Sequence, residues 1–348
     1  MPLRDGDLQL QNFTSLLELV DREENLLERL GLFSVDYSDK TVHQFERTVG
    51  GTDTMHSTAR GADRQVAGDD SAKIAWIEVP FFTLDKVTKP NEIQDMREFG
   101  TADVSVTVQS RVQRIITRIQ RGHARLHTNV MYEALLGKTY AKDEAGADRA
   151  GLVKSYQAIF DVPDADMFNS AAGGVGAVDL TDVASNPADY FETFRQHVIA
   201  KAGDQGDDYE IMALLDSESF TNLKNHPDYV EAFANYSSEV EPLRQRLGGL
   251  KNNRVLSWQG VTYIEDISGK INNATANRGR IVMFPMGFDM FELVYAPADT
   301  EEHANTTAEE AYLFLDSQRR KTVIESETSV VAVNTRPELV ANIVSTLA

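Results

Sequence analysis

Residues 110–138, SRVQRIITRIQRGHARLHTNVMYEALLGK, carry two separate stripes on one helical repeat. At about 100° per residue, Arg111, Arg114, Arg118, Arg121 and Arg125 fall within an arc of about 80°. Val112, Ile115, Ile116, Ile119, Leu126 and Val130 fill a different arc of about 100°. The pattern predicts a helix from about Val108 to Leu136, roughly 40 Å long at 1.5 Å per residue. Gly137 supplies its stop. A helix of this length must be covered along one whole side, so it dictates a large packing surface. Its opposite side is written for anions.

The basic stripe stands against an acidic background. The 348 residues hold 34 Lys and Arg against 54 Asp and Glu, a net charge of −20. Between Val104 and Lys138 there are six Lys or Arg and one acid, Glu133, so the remainder of the chain carries −25. Such a chain does not bind nucleic acid over its whole surface, because phosphate contact needs local positive charge. Its copies repel one another unless specific contacts overcome that repulsion. Three surroundings fit the stripe: acidic surface on a neighbouring copy, a nucleic-acid backbone, or water alone. The large stock of acids favours the neighbouring copy. With no cysteine, neither disulfides nor thiolate chemistry is available. No apolar run approaches the roughly 20 residues that span a bilayer. The start, MPLRDGDLQLQNF, lacks the basic-then-apolar order of a secretion signal. A soluble protein made in the cytoplasm is expected.

The remaining segments fall into distinct textures. Leu16, Leu17, Val20, Leu27 and Leu30 recur at helical spacing between a Ser15–Glu18 capping pattern and Gly31, which predicts an amphipathic helix or docking arm. Residues 50–72 are polar and glycine-rich, with too little apolar surface to fold alone. They are flanked by VHQFERTV and KIAWIEVPFFTLDKV, whose Trp76, Ile77, Val79, Phe81, Phe82 and Leu84 suit strands. The two read as a projecting hairpin with a long polar tip, and Pro80 marks an edge or bulge. Further on, α and β patterns alternate. Ser185–Asn186–Pro187 open a helix lined by Tyr190, Phe191, Phe194, Val198 and Ile199. YEIMALL is a buried strand, Pro227 breaks a helix, and RVLSWQGVTYIEDI turns at Gln259–Gly260. IVMFPMGFDMFELVYAPAD reads as strand, turn, strand, and two or three strands with a Pro337 segment close the chain.

Catalytic and metal-binding patterns are weak. LGKT at 136–139 lacks the glycine of a phosphate loop, where Tyr132 stands instead, and it closes a helix rather than opening one. GGVG at 173–176 follows no clear strand. His123 and His127 are four apart, yet no H-E-x-x-H is present, and packing or capping roles suit them better. Asp161, Asp164 and Asp166 lack the glycine and distant glutamate of a calcium loop. No catalytic residue, metal or cofactor is expected.

The order of parts then resembles a known family. IEVPFFTLDKVTKPNEIQDMREFG leading into VMYEALLGKTY, FPMGFDMFELVYAPAD, and the ending TVIESETSVVAVNTRPELV are similar to the major capsid protein E branch of tailed-phage capsid proteins with the Hong Kong 97 fold. The resemblance covers nearly the whole chain and lies in the combination rather than in one motif. It implies an α+β fold with an N-arm at 1–44 and an extended β-hairpin loop at 45–103. It also implies a peripheral domain with a long spine helix at 104–150 and 307–328, and an axial α/β domain at 151–306 and 329–348. By the same resemblance the chain self-assembles into pentamers and hexamers of an icosahedral head, put together in the host cytoplasm, that encloses double-stranded DNA without sequence preference. A separate scaffold protein is expected, since only about 45 residues precede the loop; a separate portal protein is also expected, and a decoration protein is an optional partner. Contacts to neighbouring copies are expected at the arginine stripe, at Trp76, Ile77, Val79, Phe81 and Phe82 of the loop, and at Leu16, Leu17, Val20 and Leu27 of the arm. An encapsulin-type compartment and a soluble α/β enzyme stand as alternatives.

Overall fold

The computed structural model describes residues 11–12, 25–49, 71–89, 108–168, 178–202, 209–235, 253–272, 278–303, 305–318 and 321–346. The fold is α+β, and the described strands form three sheets. EIMALLD forms β8 (Glu210–Asp216), buried at every residue after Glu210. Such a run needs cover on both faces, and β8 lies inside a six-stranded sheet. The order is β7 (Val178–Asp179), β15 (Ala341–Thr346), β11 (Arg278–Met286), β8, β10 (Val261–Asp266), β9 (Val255–Trp258). β8 and β10 run parallel, from the pair Ile211 and Val261 to the pair Asp216 and Asp266. Asp216 ends β8 and caps the next helix (Ser217–Asn225), accepting from the amides of Glu218 and Ser219. That helix packs on β8, β10 and β11. It stops before Pro227, which begins a second helix (Pro227–Asn235) as the sequence predicts. β9 and β10 are joined by Gln259 and Gly260, both left-handed at φ 50° and 76°, the geometry of a two-residue hairpin turn.

The second sheet is built on β14 (Lys321–Asn334). β13 (Tyr312–Gln318) and β12 (Phe291–Ala296) pair with its two halves, as do β5 (Phe81–Thr83) and β6 (Lys86–Thr88). β1 (Gln11–Asn12) pairs with β13, and β2 (Ser34–Tyr37) runs parallel to β12 at the other end. From Val323 to Thr328 the burial of β14 alternates, and from Ser329 to Asn334 every residue is buried. One strand thus passes from a half-covered sheet into the interior. The chain moves between the two large sheets at Gly287–Met290, φ 109° at Gly287. β11 and β12, which read in sequence as strand, turn, strand, therefore belong to different sheets.

The third sheet is the hairpin of β3 (Val42–Val49) and β4 (Ser71–Glu78), from the pair Val42 and Glu78 to the pair Val49 and Ser71. The polar stretch 50–70 between them lies outside the described residues.

The helices follow local rules. α1 (Leu26–Leu30) starts with a reciprocal cap, in which Glu28 N–H donates to Asn25 Oδ1 at 2.9 Å and Asn25 N–H donates to Glu28 Oε2 at 3.0 Å. It ends at left-handed Gly31. The expected Ser15–Glu18 cap lies outside the described residues. The long helix α2 (Val108–Leu135) forms as read from its two stripes, and Gly137 (φ 91°) ends it. In the helix Pro187–Ala202 the buried side is Pro187, Phe191, Phe194, Val198 and Ala202. Ile199, expected on that side, is 55% exposed. It sits about 100° past Val198 and off the covered arc.

Candidate assembly surfaces

α2 is fastened on one side to both large sheets. Ile115, Ile116 and Ile119 pack on Leu313 of β13 and Ile324 of β14. One turn further, His123 Nε2 is hydrogen-bonded to Ser326 of β14. His127 is buried with Nδ1 3.5 Å from the Tyr295 hydroxyl of β12. Near the C-terminus, Tyr132 donates to Asp266 Oδ1 of β10 at 2.9 Å, and Asn129 accepts from Lys270 Nζ at 2.7 Å. Burial, with the Asp266 charge beside it, pushes the Tyr132 hydroxyl well above the ordinary tyrosine range. The same helix therefore clamps the second sheet near its start and the first sheet at its end. Both histidines serve packing, and among the described residues no group of three or more His, Cys, Asp or Glu could hold a metal. No described helix is long and apolar enough to cross a membrane.

The opposite side of α2 presents the arginines. Arg111 is half-buried, while Arg114, Arg118, Arg121 and Arg125 are exposed. Among the described residues Arg118, Arg121 and Arg125 make no side-chain hydrogen bond or ion pair.

The hairpin divides its residues by the alternation of strand side chains. His43, Phe45, Ala75 and Ile77 share one side, and Phe45, Ala75 and Ile77 are buried in the chain's own core. Val42, Ile74 and Trp76 share the other, at 38%, 53% and 62% exposure. Two of the expected loop contacts lie inside the subunit. Ile77 and Val79 are buried at 4% and 6%, because their side of the strand already faces the chain's own core. Phe81 is exposed and Phe82 half-buried in β5, where Phe82 approaches the Tyr140 ring at 6.1 Å. The arm expectation changes as well. Leu27 is fully buried in the same core, since α1 docks on α2 through Asn25, which reaches Thr128 and Met131. Leu16, Leu17 and Val20 lie outside the described residues.

Carboxylates differ sharply between the two large sheets. In the first, Arg254 grips Glu265 of β10 at two points, 2.7 and 2.8 Å, and holds its carboxyl down to about 2. In the second, burial pushes Glu327 up; a backbone hydrogen bond from Asp299 opposes the rise, while the charges of Asp299, Asp85 and Glu325 add to it. Burial, then Asp36 and Asp289, do the same to Glu292. A segment that the motif reading did not single out belongs to this acidic side. Residues 299–310, DTEEHANTTAEE, hold five acids and no Lys or Arg, and charge counting in short windows finds it.

Comparison with known proteins gives these surfaces a setting. The family described as Phage major capsid protein E matches residues 10–345. A curated relative, the major capsid protein of Pseudomonas phage KPP10, is 27% identical, covering 98% of this chain and 97% of its own. Among solved structures, the cyanophage Pam1 capsid asymmetric unit aligns with a TM-score of 0.54 at 15% identity, covering 94% of each chain. The mature capsid of bacteriophage PhiM1 aligns at 0.52 and 12% identity, covering 100% of this chain and 92% of that one. These matches favour a phage-head subunit over a nanocompartment shell or a soluble enzyme. The chain belongs to the phage major capsid protein E family.

Proposed function

We propose that this major capsid protein of a phage head closes an icosahedral shell of pentamers and hexamers around double-stranded DNA. In this reading residues 1–44 are an N-arm and 45–103 an extended loop reaching a neighbour. Residues 104–150 and 307–328 form a peripheral domain on the spine helix α2. Residues 151–306 and 329–348 form the axial domain that meets its copies around the symmetry axes. Scaffold and portal are separate proteins, and assembly takes place in the host cytoplasm. The subunit acts by covering surface and carries out no catalysis.

One observation carries the proposal. The β3–β4 hairpin stands outside both large sheets, and its outer side leaves Val42, Ile74 and Trp76 exposed together. A lone two-stranded ribbon is marginal in water, and contiguous exposed apolar residues mark a contact surface. Burying one such side chain is worth roughly 1.5–3 kcal/mol, and a closed shell repeats that gain at every subunit. The arginine face of α2 provides the polar counterpart, paired in this reading with acids of a neighbouring copy.

The test is expression with and without a scaffold protein, followed by negative-stain microscopy and sedimentation. Closed particles of uniform size are expected, and deletion of residues 50–72 abolishes them with little change in circular dichroism. A stable monomer under all conditions, or normal particles from the deletion, overturns the reading.

A further inference from the structure

The acidic segment 299–310 joins β12 to β13 and is held from within. The His303 ring packs on Tyr312 and Phe314 at 5.0 and 5.6 Å, and its Nδ1 lies 2.9 Å from Thr300 Oγ1. Ala308 N–H donates to the Ser38 carbonyl at 3.1 Å. Glu309 N–H donates to the Tyr312 hydroxyl at 2.9 Å, and the Thr328 hydroxyl donates to the Glu310 carbonyl at 2.7 Å. With these groups turned inward, Asp299, Glu301, Glu302, Glu309 and Glu310 are all exposed. Glu301, Glu302 and Glu309 make no ion pair among the described residues.

The arginine face of α2 has the complementary form. Arg118, Arg121 and Arg125 follow each other at spacings of three and four, a row about 10 Å long at 1.5 Å per residue. Both rows sit on elements fixed by buried contacts, so little ordering is lost when they meet. Among the described residues of one chain, neither row pairs with the other. Their meeting therefore requires two copies. The segment is also tied to Ser38, just ahead of β3, so a copy that receives the hairpin lies beside the segment too.

We infer that segment 299–310 of one copy docks on the Arg118–Arg121–Arg125 face of a neighbouring copy. This rests on the reading that the stripe contacts a neighbour, and adds which surface of the neighbour it meets. The contact is heterologous: each copy supplies one acidic row and one basic row, so it can repeat around a closed ring.

Charge exchange tests it. One variant carries Arg118→Glu, Arg121→Glu and Arg125→Glu; a second carries Glu301→Arg, Glu302→Arg and Glu309→Arg; a third carries all six. The first two are expected to fold, by circular dichroism, and to yield at least tenfold fewer closed particles. The third restores particles, because every contact regains opposite charges. If the first variant fails and the third is no better, the segment is not the partner, while the stripe remains an assembly surface. Normal particles from the first variant overturn both statements, and normal particles that lose DNA place the stripe against the genome. Should a reversed variant unfold, a cysteine pair, Arg121→Cys with Glu302→Cys, gives an independent readout in a chain that has no other cysteine. Oxidised particles should then run as a covalent ladder on a non-reducing gel, and monomer alone overturns the inference.

Discussion

The six-stranded sheet and the β3–β4 hairpin dispose of their apolar residues in opposite ways. All of β10, VTYIED, is buried, and the helix Ser217–Asn225 of the same chain packs on β8. The hairpin buries Phe45, Ala75 and Ile77 on one side and leaves Ile74 and Trp76 in water on the other. The first region completes itself. On the proposed reading, the second is finished only when a neighbouring copy covers it. The stability of the subunit and the ability to assemble are therefore separable properties, carried by different residues.

The largest effect should come from the completed region. Phe194 is fully buried, and Phe194→Ala should cost about 3–5 kcal/mol in denaturant unfolding of the unassembled subunit. Trp76→Ser should stay within about 0.5 kcal/mol in the same assay while closed particles vanish by microscopy. If Trp76→Ser unfolds the subunit as Phe194→Ala does, the contrast between the regions is false.

The seam between the sheets comes next. Tyr132→Phe removes the hydroxyl that donates to buried Asp266 and leaves that carboxylate with Ser268 as its remaining donor. The expected loss is about 1–2 kcal/mol, measured by denaturant midpoint. A loss below about 0.5 kcal/mol would mean that α2 is held by its isoleucines alone.

What the sequence discloses follows the same division. The two faces of α2, the break at Pro227 and the Gln259–Gly260 turn were legible because each depends on neighbours within a few residues. The parting of β11 from β12 was not. FPMGFDMFE reads as one hairpin, and only pairing with Asn334–Ser329 on β14 decides otherwise. By strand alternation Trp76 and Ile77 fall on opposite sides, but alternation does not say which side the chain covers itself. Ile77, Val79 and Leu27 were therefore assigned to a neighbour although the chain's own core holds them. Among the surfaces, the arginine stripe was plain from its period. The acidity of segment 299–310 is open to charge counting, but which of its groups turn inward is not, since that depends on the packing of His303 and Ala308.

Charges sharpen the contrast with a smaller effect. Glu265 is held low by Arg254, so its contribution to stability is present above the unfolded carboxyl value of 4.5 and is lost as pH falls toward about 2. Arg254→Met should therefore lower the melting temperature at pH 7, and the gap to the parent should narrow steadily between pH 4.5 and about 2. A gap independent of pH would assign the loss to the arginine's packing on Phe220, 4.8 Å away, rather than to the ion pair.

The smallest effect has the opposite sign and belongs to the unfinished side. Glu327 is raised by burial and by the charges of Asp299, Asp85 and Glu325. Its ionised form is disfavoured in the folded chain, so it detracts from stability at neutral pH, and proton uptake restores stability as pH falls through the raised value. Glu327→Gln removes the charge and keeps the shape. It should raise the melting temperature of the unassembled subunit at pH 7 by on the order of 1 °C, and the gain should disappear by about pH 4, where the parent carboxyl is itself protonated. Inside particles the gain should be smaller, because arginines of a neighbour lying against Asp299 and its segment would already offset part of the crowding. A gain of equal size in subunit and particle would mean that no cation approaches this corner on assembly, and the acidic side would then be finished as it stands.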